Sequence, residues 1–286
     1  MKNKLAIGTV QFGLDYGISN DSGTVQLDEI KKILSEATLN SIEFIDTAKA
    51  YGTSEHKLGK LDMSIFKLIT KLVNLENINN DIEDSLCKLN INTLYAVLIH
   101  DFNTFILNQQ SYNDYKSSEH HINKVDKIGF SLNKISELEY LFANNIDFDI
   151  VQVPYNLLDQ RFEVYFEELN SRNVEIHTRS VFLQGLFFID INKVPNNLQK
   201  LVFPLQKIHF LANSNNISVG KLALNFVALN RYISKVVIGV TSIEELELNI
   251  EAMKETEKVR SLYKHLLDLK IDDENLVLPM NWNKNG

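Results

Sequence analysis

The chain has 286 residues and a formal net charge of −8, and its 44% hydrophobic and 23% charged residues are those of an ordinary globular protein. The acidic balance argues against general binding to nucleic acid or to a membrane surface, and no apolar stretch approaches the ~18 residues of a membrane-spanning helix. Cys87 is the single cysteine, which excludes an internal disulfide or a cysteine-based metal cluster and leads us to expect a cytoplasmic protein.

Eight short apolar runs predict β-strands, and most of them are nearly continuous, as in strands buried on both faces of a parallel sheet. The predicted strands are Leu5–Val10, Ile42–Asp46, Phe66–Thr70, Leu94–His100, Lys124–Gly129, Phe148–Val153, Val174–Thr178 and Lys235–Gly239. Stretches of helical length separate these runs, and no linker rich in proline or glycine interrupts them. The sequence therefore predicts the α/β class and a single (β/α)8 barrel of the TIM type, forming one domain over residues 1–286.

Amphipathic stretches between the strands predict the barrel helices. The clearest are Asp28–Leu39, Asn79–Leu89, Ser136–Asn144 and Val219–Leu229. Ser242 is predicted to cap a further helix, with Glu245 three residues later as in a capping box. Three parts fall outside the alternation: an extra N-terminal segment, a partly helical stretch at Phe182–Asn213 over the barrel mouth, and a C-terminal helix and tail at Ser261–Gly286. Trp282 in that tail is expected to pack against the barrel.

Polar side chains stand at successive strand ends, where the active sites of such barrels lie. Asp46 ends the second strand, and Tyr51 follows in the next loop. Lys71 and His100 end the third and fourth strands. A buried ammonium beside a phenol stabilises the phenolate and lowers its pKa, and a carboxylate keeps that ammonium charged. With a histidine bonding the same oxygen, the group predicts a device that polarises an aldehyde or ketone and protonates it as hydride arrives.

Each of these four residues also has an ordinary structural interpretation when it is taken alone. A carboxylate at a strand end can cap a loop, and a tyrosine can simply pack half-buried. A lysine after an apolar strand usually extends to solvent, and a histidine is most often hydrogen-bonded within the fold. Their joint placement at successive strand ends favours the catalytic interpretation.

The same residues lie in runs that resemble the signature of the aldo/keto reductase family. These runs are Phe44–Glu55 with Leu58–Gly59, Gly8–Gly13, Ile69–Lys71 and Leu98–His100, within a resemblance that extends from Gly8 to about Ala252. The resemblance implies a TIM-type barrel that binds NADP(H) without a Rossmann domain. The family's catalytic aspartate, tyrosine, lysine and histidine are all matched, with Tyr51 as the general acid.

The resemblance also implies where the nicotinamide end of the cofactor binds. Ser131 and Gln152 match the residues that bond the nicotinamide amide, although Leu132 replaces the asparagine that often follows the serine. Asn156 is expected near the substrate pocket. Arg179 stands where many members stack a tyrosine on the nicotinamide, and a guanidinium can also lie flat against a ring.

The segment at Thr241 and Ser242 resembles the family's phosphate-binding helix start, and Asn249 matches its adenine-binding asparagine. Glu245, however, falls where many members place an arginine on the 2′-phosphate. We therefore expect NADP(H) to be favoured but held more weakly, with NAD(H) as the other possible cofactor.

The sequence thus predicts an NADP(H)-dependent oxidoreductase that reduces a small-molecule aldehyde or ketone to an alcohol. The run from Arg179 to Leu186 resembles a bacterial branch associated with surface-polysaccharide and unusual-sugar biosynthesis, which favours a sugar-derived substrate. The main alternative is a nicotinamide-binding regulatory or redox-sensing module with little turnover. An aldolase that uses Lys71 as a Schiff-base amine is disfavoured by Tyr51 and His100. A metal hydrolase is disfavoured because the histidine pair His120–His121 has no carboxylate partners at strand ends. No metal is expected.

Overall fold

The computed structural model describes residues 3–17, 23–254 and 256–285 of the chain. Eight parallel strands form a closed barrel, in which each strand pairs with its neighbours in the sequence and β8 pairs with β1. The strands are β1 Leu5–Gly8, β2 Phe44–Asp46, β3 Lys67–Leu72, β4 Leu94–Ile99, β5 Val125–Ser131, β6 Ile150–Pro154, β7 Glu175–Arg179 and β8 Ile233–Gly239. This closed barrel confirms the predicted (β/α)8 fold.

Helices alternate with the strands, and each of the five predicted helices begins within one residue of its expected start. The α-helices are α1 Val10–Gly13, α2 Leu27–Leu39, α3 Ser54–Leu58, α4 Ile78–Leu89, α5 Phe102–Leu107, α6 Gln109–Lys116, α7 Glu119–Lys124, α8 Ile135–Ala143, α9 Phe166–Ser171, α10 Val202–Ser214, α11 Val219–Leu229, α12 Ile243–Ala252, α13 Thr256–Leu267 and α14 Glu274–Val277. Short 3-10 helices span Arg161–Tyr165, Leu183–Phe188, Ile191–Lys193, Asn196–Leu201 and Pro279–Asn285. No helix within the described ranges is long and apolar enough to cross a membrane.

The segments outside the alternation have defined structures. The additional element near the N-terminus is α1, which lies between β1 and α2 because the chain turns into a helix at Val10 instead of extending the strand. The predicted segment after β7 consists of three 3-10 helices and most of α10. In the C-terminal tail, Trp282 is buried and its indole N–H donates to the Leu276 carbonyl oxygen at 3.1 Å. Gly286, the last residue of the predicted tail, lies outside the described residues.

A small apolar cluster is separate from the larger core that packs the strands against the helices. Its buried members are Ala6, Phe44, Ile69, Ala96, Leu98, Ile150 and Val237. Side chains alternate between the two faces of a strand, so residues two positions apart point the same way. Asp46 and Lys71 each stand two residues after a member of this cluster, and so do His100 and Gln152. These four polar residues therefore share the inner face of the barrel with the cluster, one step closer to the carboxyl ends of the strands.

The opposite, amino-terminal end of the barrel carries an ion-paired network centred on Glu175. Its carboxylate pairs with Lys127, accepts from the Tyr95 hydroxyl at 2.6 Å, and lies 2.6 Å from His177 Nε2. Burial would raise the pKa of Glu175, but the hydrogen bond and charge of His177, together with Lys127, hold it well below its usual range. These contacts tie β4, β5 and β7 together below the apolar cluster, so the charged groups at the two ends are separated by apolar packing.

Candidate active site

A buried ion pair between Asp46 and Lys71 lies at the carboxyl end of the barrel. Lys71 is fully buried and Asp46 is 2% exposed. The Lys71 ammonium donates to Asp46 Oδ1 at 2.5 Å and to the Thr47 carbonyl oxygen at 3.0 Å. Burial would lower the pKa of Lys71, but the Asp46 carboxylate and then Tyr51 act against it and raise that pKa above its ordinary value. Lys71 is therefore a charged ammonium, not the solvent-extended lysine of the ordinary interpretation.

Tyr51 and His100 complete the cluster around this ammonium. The Tyr51 hydroxyl lies 3.4 Å from Lys71 Nζ, and the ammonium lies 4.9 Å from the centre of the Tyr51 ring. The His100 ring meets the Tyr51 ring edge to face, with 5.9 Å between their centres. The four residues that the sequence placed at successive strand ends are thus neighbours in space.

His100 is held in its neutral form. Burial, the nearby Lys71 ammonium and then the Arg179 guanidinium lower the pKa of His100 to about 4. Its backbone N–H donates to the Leu72 carbonyl oxygen at 2.8 Å, and its Nδ1 atom is buried with no hydrogen-bond partner among the described residues. A neutral imidazole carries one N–H donor and one acceptor nitrogen, so His100 can bond an oxygen without bringing a second positive charge beside Lys71.

Close backbone packing fixes the loop that carries Tyr51. A Cβ atom on Gly13 would lie 1.8 Å from the Tyr51 carbonyl oxygen, so only glycine allows α1 to approach this loop. Gly52 adopts φ of +55°, a conformation that glycine takes at little cost. The Lys49 ammonium bonds Asp81 Oδ1 at 2.6 Å and ties the same loop to α4.

Buried hydroxyls support the loop from below. Ser54 Oγ donates to Thr9 Oγ1 at 2.8 Å and lies 3.2 Å from Thr47 Oγ1, while Thr9 Oγ1 donates to the Asp46 carbonyl oxygen at 3.0 Å. This series of hydrogen-bonded hydroxyls joins β1, β2 and α3 directly beneath the ion pair. Each hydroxyl has a partner within the fold, so the series has a supporting role.

Gln152 provides an acceptor of the type that a carboxamide ligand needs. Its Nε2 atom donates to Asp46 Oδ2 at 2.7 Å, while its buried Oε1 atom has no partner among the described residues. Ser131 is paired with Gln152 in the β5–β6 register and is 3% exposed. An unpartnered carbonyl beside a strand-end hydroxyl fits the amide of a nicotinamide, and this orphaned atom is the main structural sign of a cofactor here.

Arg179 crosses the mouth from the end of β7 to the loop after β5. Its guanidinium donates to the Leu132 carbonyl oxygen at 2.9 Å and to Asn133 Oδ1 at 2.6 Å. These bonds hold the guanidinium in place near His100, whose pKa it helps to lower. Asn133 was not among the residues predicted from the sequence, and it supplies one of the acceptors that orient Arg179.

The Asn156 side chain is used by the backbone around it. Its Oδ1 accepts from the N–H groups of Leu158 and Asp159, each at 2.9 Å, and its Nδ2 donates to the Ser180 carbonyl oxygen at 3.0 Å. The residue is fully buried. Asn156 therefore joins the loops after β6 and β7. Its place near the substrate pocket stays a prediction.

The start of α12 is occupied by acceptors from the chain itself. Ser242 caps the helix, accepting from the Glu245 N–H at 3.3 Å. A capping box also requires the Glu245 carboxylate to accept from the Ser242 N–H. Here that carboxylate accepts from the N–H of the preceding residue, Thr241, at 2.7 Å, so the predicted capping box is only half formed. Asn249, one turn along, donates to the Glu245 carbonyl oxygen at 2.8 Å. The sequence missed Glu29, whose Oε1 accepts from the Ile243 N–H at 2.8 Å.

A bridge across the mouth was also missed from the sequence. Gln184 Nε2 donates to the Tyr16 hydroxyl at 2.7 Å and joins the loops after β7 and β1. Ser180, Leu183 and Gln184 all have positive φ, between 49° and 62°. Strained non-glycine residues of this kind cluster at functional sites. The available sequence signal for this bridge was Tyr16, an aromatic residue between Gly13 and Gly17.

The described residues contain no group of three or more histidine, cysteine, aspartate or glutamate side chains placed to hold a metal ion. His120 lies in α7, which leads into the start of β5, and its Nε2 is 2.9 Å from Glu83 Oε1.

Comparisons with known proteins give one family match and matches to solved structures. A sequence profile described as the aldo/keto reductase family matches residues 4–266. No curated protein sequence matches the chain. Among solved structures, aldo-keto reductase AKR11C1 from Bacillus halodurans in its holo form superposes with a TM-score of 0.75 at 18% identity, covering 95% of this chain and 94% of that one. A Pseudomonas aeruginosa protein assigned to the aldo-keto reductases gives a TM-score of 0.67 at 19% identity, covering 89% and 90%.

A closed parallel barrel with polar side chains gathered at its carboxyl end defines a class of barrel enzymes. The profile match covers most of the chain, and the chain belongs to the aldo/keto reductase family. It is accordingly an oxidoreductase that acts on carbonyl groups. At these levels of identity, the structural neighbours add evidence for the fold alone.

We predict that Gly13→Ala displaces the Tyr51 loop, because the new Cβ would overlap the Tyr51 carbonyl oxygen. Misplacing a reacting group by about 1 Å can cost on the order of 10²-fold in rate, so reduction of a simple aldehyde should fall by about that factor. The assay is oxidation of a reduced nicotinamide nucleotide, with circular dichroism to check folding. Gly220→Ala is the matched control, since its Cβ would meet nothing closer than 3.7 Å. Equal rates for both variants would show that the close approach does not position Tyr51.

The lowered pKa of His100 predicts a pH-dependent stability. In the unfolded chain His100 takes up a proton near its ordinary pKa of 6.5, whereas in the folded protein it does so only near 4. Between these values the unfolded state binds more protons, so the free energy of unfolding should fall as pH drops from 6.5 towards 4. Denaturant unfolding at pH 7.5 and pH 5 should show a larger loss for the unaltered protein than for His100→Gln. Equal losses in the two proteins would contradict a neutral buried His100.

Proposed function

We propose that the protein reduces a small-molecule aldehyde or ketone to an alcohol with a nicotinamide nucleotide as hydride donor and Tyr51 as proton donor. The observation that carries the proposal is the Lys71 ammonium, buried against Asp46 at 2.5 Å and 3.4 Å from the Tyr51 hydroxyl. Such an arrangement is of little use for stability alone, since burying both ions costs more than a hydrophobic pair of similar volume.

The residues of the cluster divide the work of proton transfer. Tyr51 gives its proton to the carbonyl oxygen of the substrate, and negative charge then develops on the phenol oxygen. The Lys71 ammonium lies where that charge appears and stabilises it, while Asp46 keeps the ammonium charged. Neutral His100 donates a hydrogen bond to the same carbonyl oxygen and orients it.

A second group of residues holds the nucleotide in this proposal. The Oε1 atom of Gln152 and the hydroxyl of Ser131 would bind the carboxamide of the nicotinamide, and the Arg179 guanidinium would contribute a contact to the ring. A bound reduced nicotinamide supplies the hydride. Thr241, Ser242 and Asn249 line the adenosine end. Family resemblance favours NADP(H) there, whereas the carboxylates at the start of α12 argue for NAD(H).

The charge state of Lys71 also bears on the competing enzyme class. A Schiff-base lysine must lose its proton to attack a carbonyl, and a neighbouring carboxylate opposes that loss. The raised pKa of Lys71 therefore supports reduction over aldol chemistry. A polar, sugar-derived substrate is part of the proposal, supported by the hydrogen-bonding side chains of Tyr16 and Gln184 at the mouth. A cytoplasmic location and a single domain over residues 1–286 complete it.

Tyr51→Phe should keep the fold and nucleotide binding but lose most turnover, because removing a general acid typically costs on the order of 10²–10⁴ in rate. The measurement is loss of the reduced nicotinamide absorbance with simple aldehydes, keto-sugars and nucleotide-linked keto-sugars, alongside calorimetric nucleotide titration. A matched control is Tyr232→Phe, which removes a hydroxyl bonded to Arg231 on the surface. Turnover by Tyr51→Phe as fast as the unaltered protein would overturn the mechanism. Nucleotide binding without turnover of any carbonyl by the unaltered protein would favour the regulatory alternative.

A further inference from the structure

Three backbone N–H groups at the start of α12 already have acceptors from the chain's own side chains. Glu245 accepts from the Thr241 N–H at 2.7 Å, and Glu29 of α2 accepts from the Ile243 N–H at 2.8 Å. Ser242 accepts from the Glu245 N–H at 3.3 Å. A helix N-terminus favours negative charge, and here two carboxylates supply it. An external anion would have to displace them.

The surroundings of this helix start are negative. The hydrogen bond from the Ile243 N–H holds the pKa of Glu29 below its usual range, and the Ser242 hydroxyl does the same for Glu244. Lys32 bonds Glu29 Oε2 at 3.0 Å and contributes one positive charge. The charge of Lys32 is thus already paired, and the carboxylates of Glu29, Glu244 and Glu245 leave an excess of negative charge.

The two nicotinamide nucleotides present opposite chemistry to such a surface. The adenosine ribose of NADH carries 2′- and 3′-hydroxyls that can donate hydrogen bonds, and in other NAD sites the carboxylate of an acidic residue accepts from them. NADPH carries a phosphate at the 2′ position, which is an acceptor with negative charge and no proton to donate at neutral pH. Like charges at close range select against a ligand even when the remaining contacts are the same.

We infer that Glu245 and Glu29 make this protein selective for NADH over NADPH, with the adenosine ribose hydroxyls bonding to carboxylates that cap α12. This inference rests on the proposed nucleotide-binding function, and it reverses the preference for NADP(H) expected from the sequence. The residue at position 245 is a specificity determinant because it fills the anion position of the helix. Glu29 could not be found from the sequence, since it lies 214 residues from the N–H that it caps.

Calorimetric titration of the unaltered protein with NADH and, separately, with NADPH tests the inference without any carbonyl substrate. We expect NADH to bind at least about tenfold more tightly, which corresponds to about 1.4 kcal/mol. NADPH binding as tightly as NADH, or more tightly, would overturn the selectivity and leave the reductase proposal intact. Binding of neither nucleotide would instead defeat the proposed function.

Substitutions at the two carboxylates separate selectivity from general charge. Glu245→Gln and Glu29→Gln keep an acceptor oxygen for the capped N–H while removing the charge, so both should fold. Each should tighten NADPH binding several-fold and leave NADH binding equal or weaker, and the double variant should lose most of the preference. Glu251→Gln is the matched control, because it removes the same charge near the other end of α12, where Glu251 pairs with Lys254. The same gain in NADPH binding from Glu251→Gln would show that net charge, and not the capping carboxylates, sets the preference.

Discussion

The buried ion pair between Lys71 and Asp46 is the constraint on which the rest of the site depends. Moving two such charges out of water costs several kcal/mol per ion even after relaxation, so every nearby polar group must contribute to offset it. The Thr47 carbonyl oxygen accepts a second bond from the ammonium, and Gln152 donates to the second carboxylate oxygen. The same arrangement leaves Gln152 Oε1 without a partner in the part of the chain that the structure describes, which links the solvation of the ion pair to the place proposed for the nicotinamide amide.

The barrel makes this arrangement possible because it brings strands that are distant in the sequence side by side with a fixed register. Asp46 pairs with Ile69 across the β2–β3 ladder, which places Lys71 two residues beyond it on the same inward face. Inward residues one step lower form the apolar cluster that excludes water from beneath the pair. The closure of β8 on β1 then brings the start of α12 beside α2, where Glu29 reaches the Ile243 N–H.

The parts of this site that the sequence predicted are those governed by local rules. The apolar runs predicted the strands, and the polar residue at the end of each strand could then be read from the sequence. Asp46, Lys71 and His100 were therefore predicted without knowledge of any long-range contact. Residues that act through tertiary contacts were missed. The bond between Gln184 and Tyr16 spans 168 residues, and no periodicity signals it. The bond from the Thr241 N–H to the Glu245 carboxylate depends on how the chain leaves β8, and a capping-box pattern does not specify that path.

Lys71 is a charged ammonium because Asp46 lies beside it. Nitrogen-15 NMR of the lysine side chains, with Lys71 assigned through its loss in Lys71→Met, measures that charge directly. We expect a protonated Lys71 at every pH up to about 9, and a lower Lys71 pKa in Asp46→Asn, where burial acts without the carboxylate. A Lys71 amine that is already neutral at pH 7 in the unaltered protein would contradict the account.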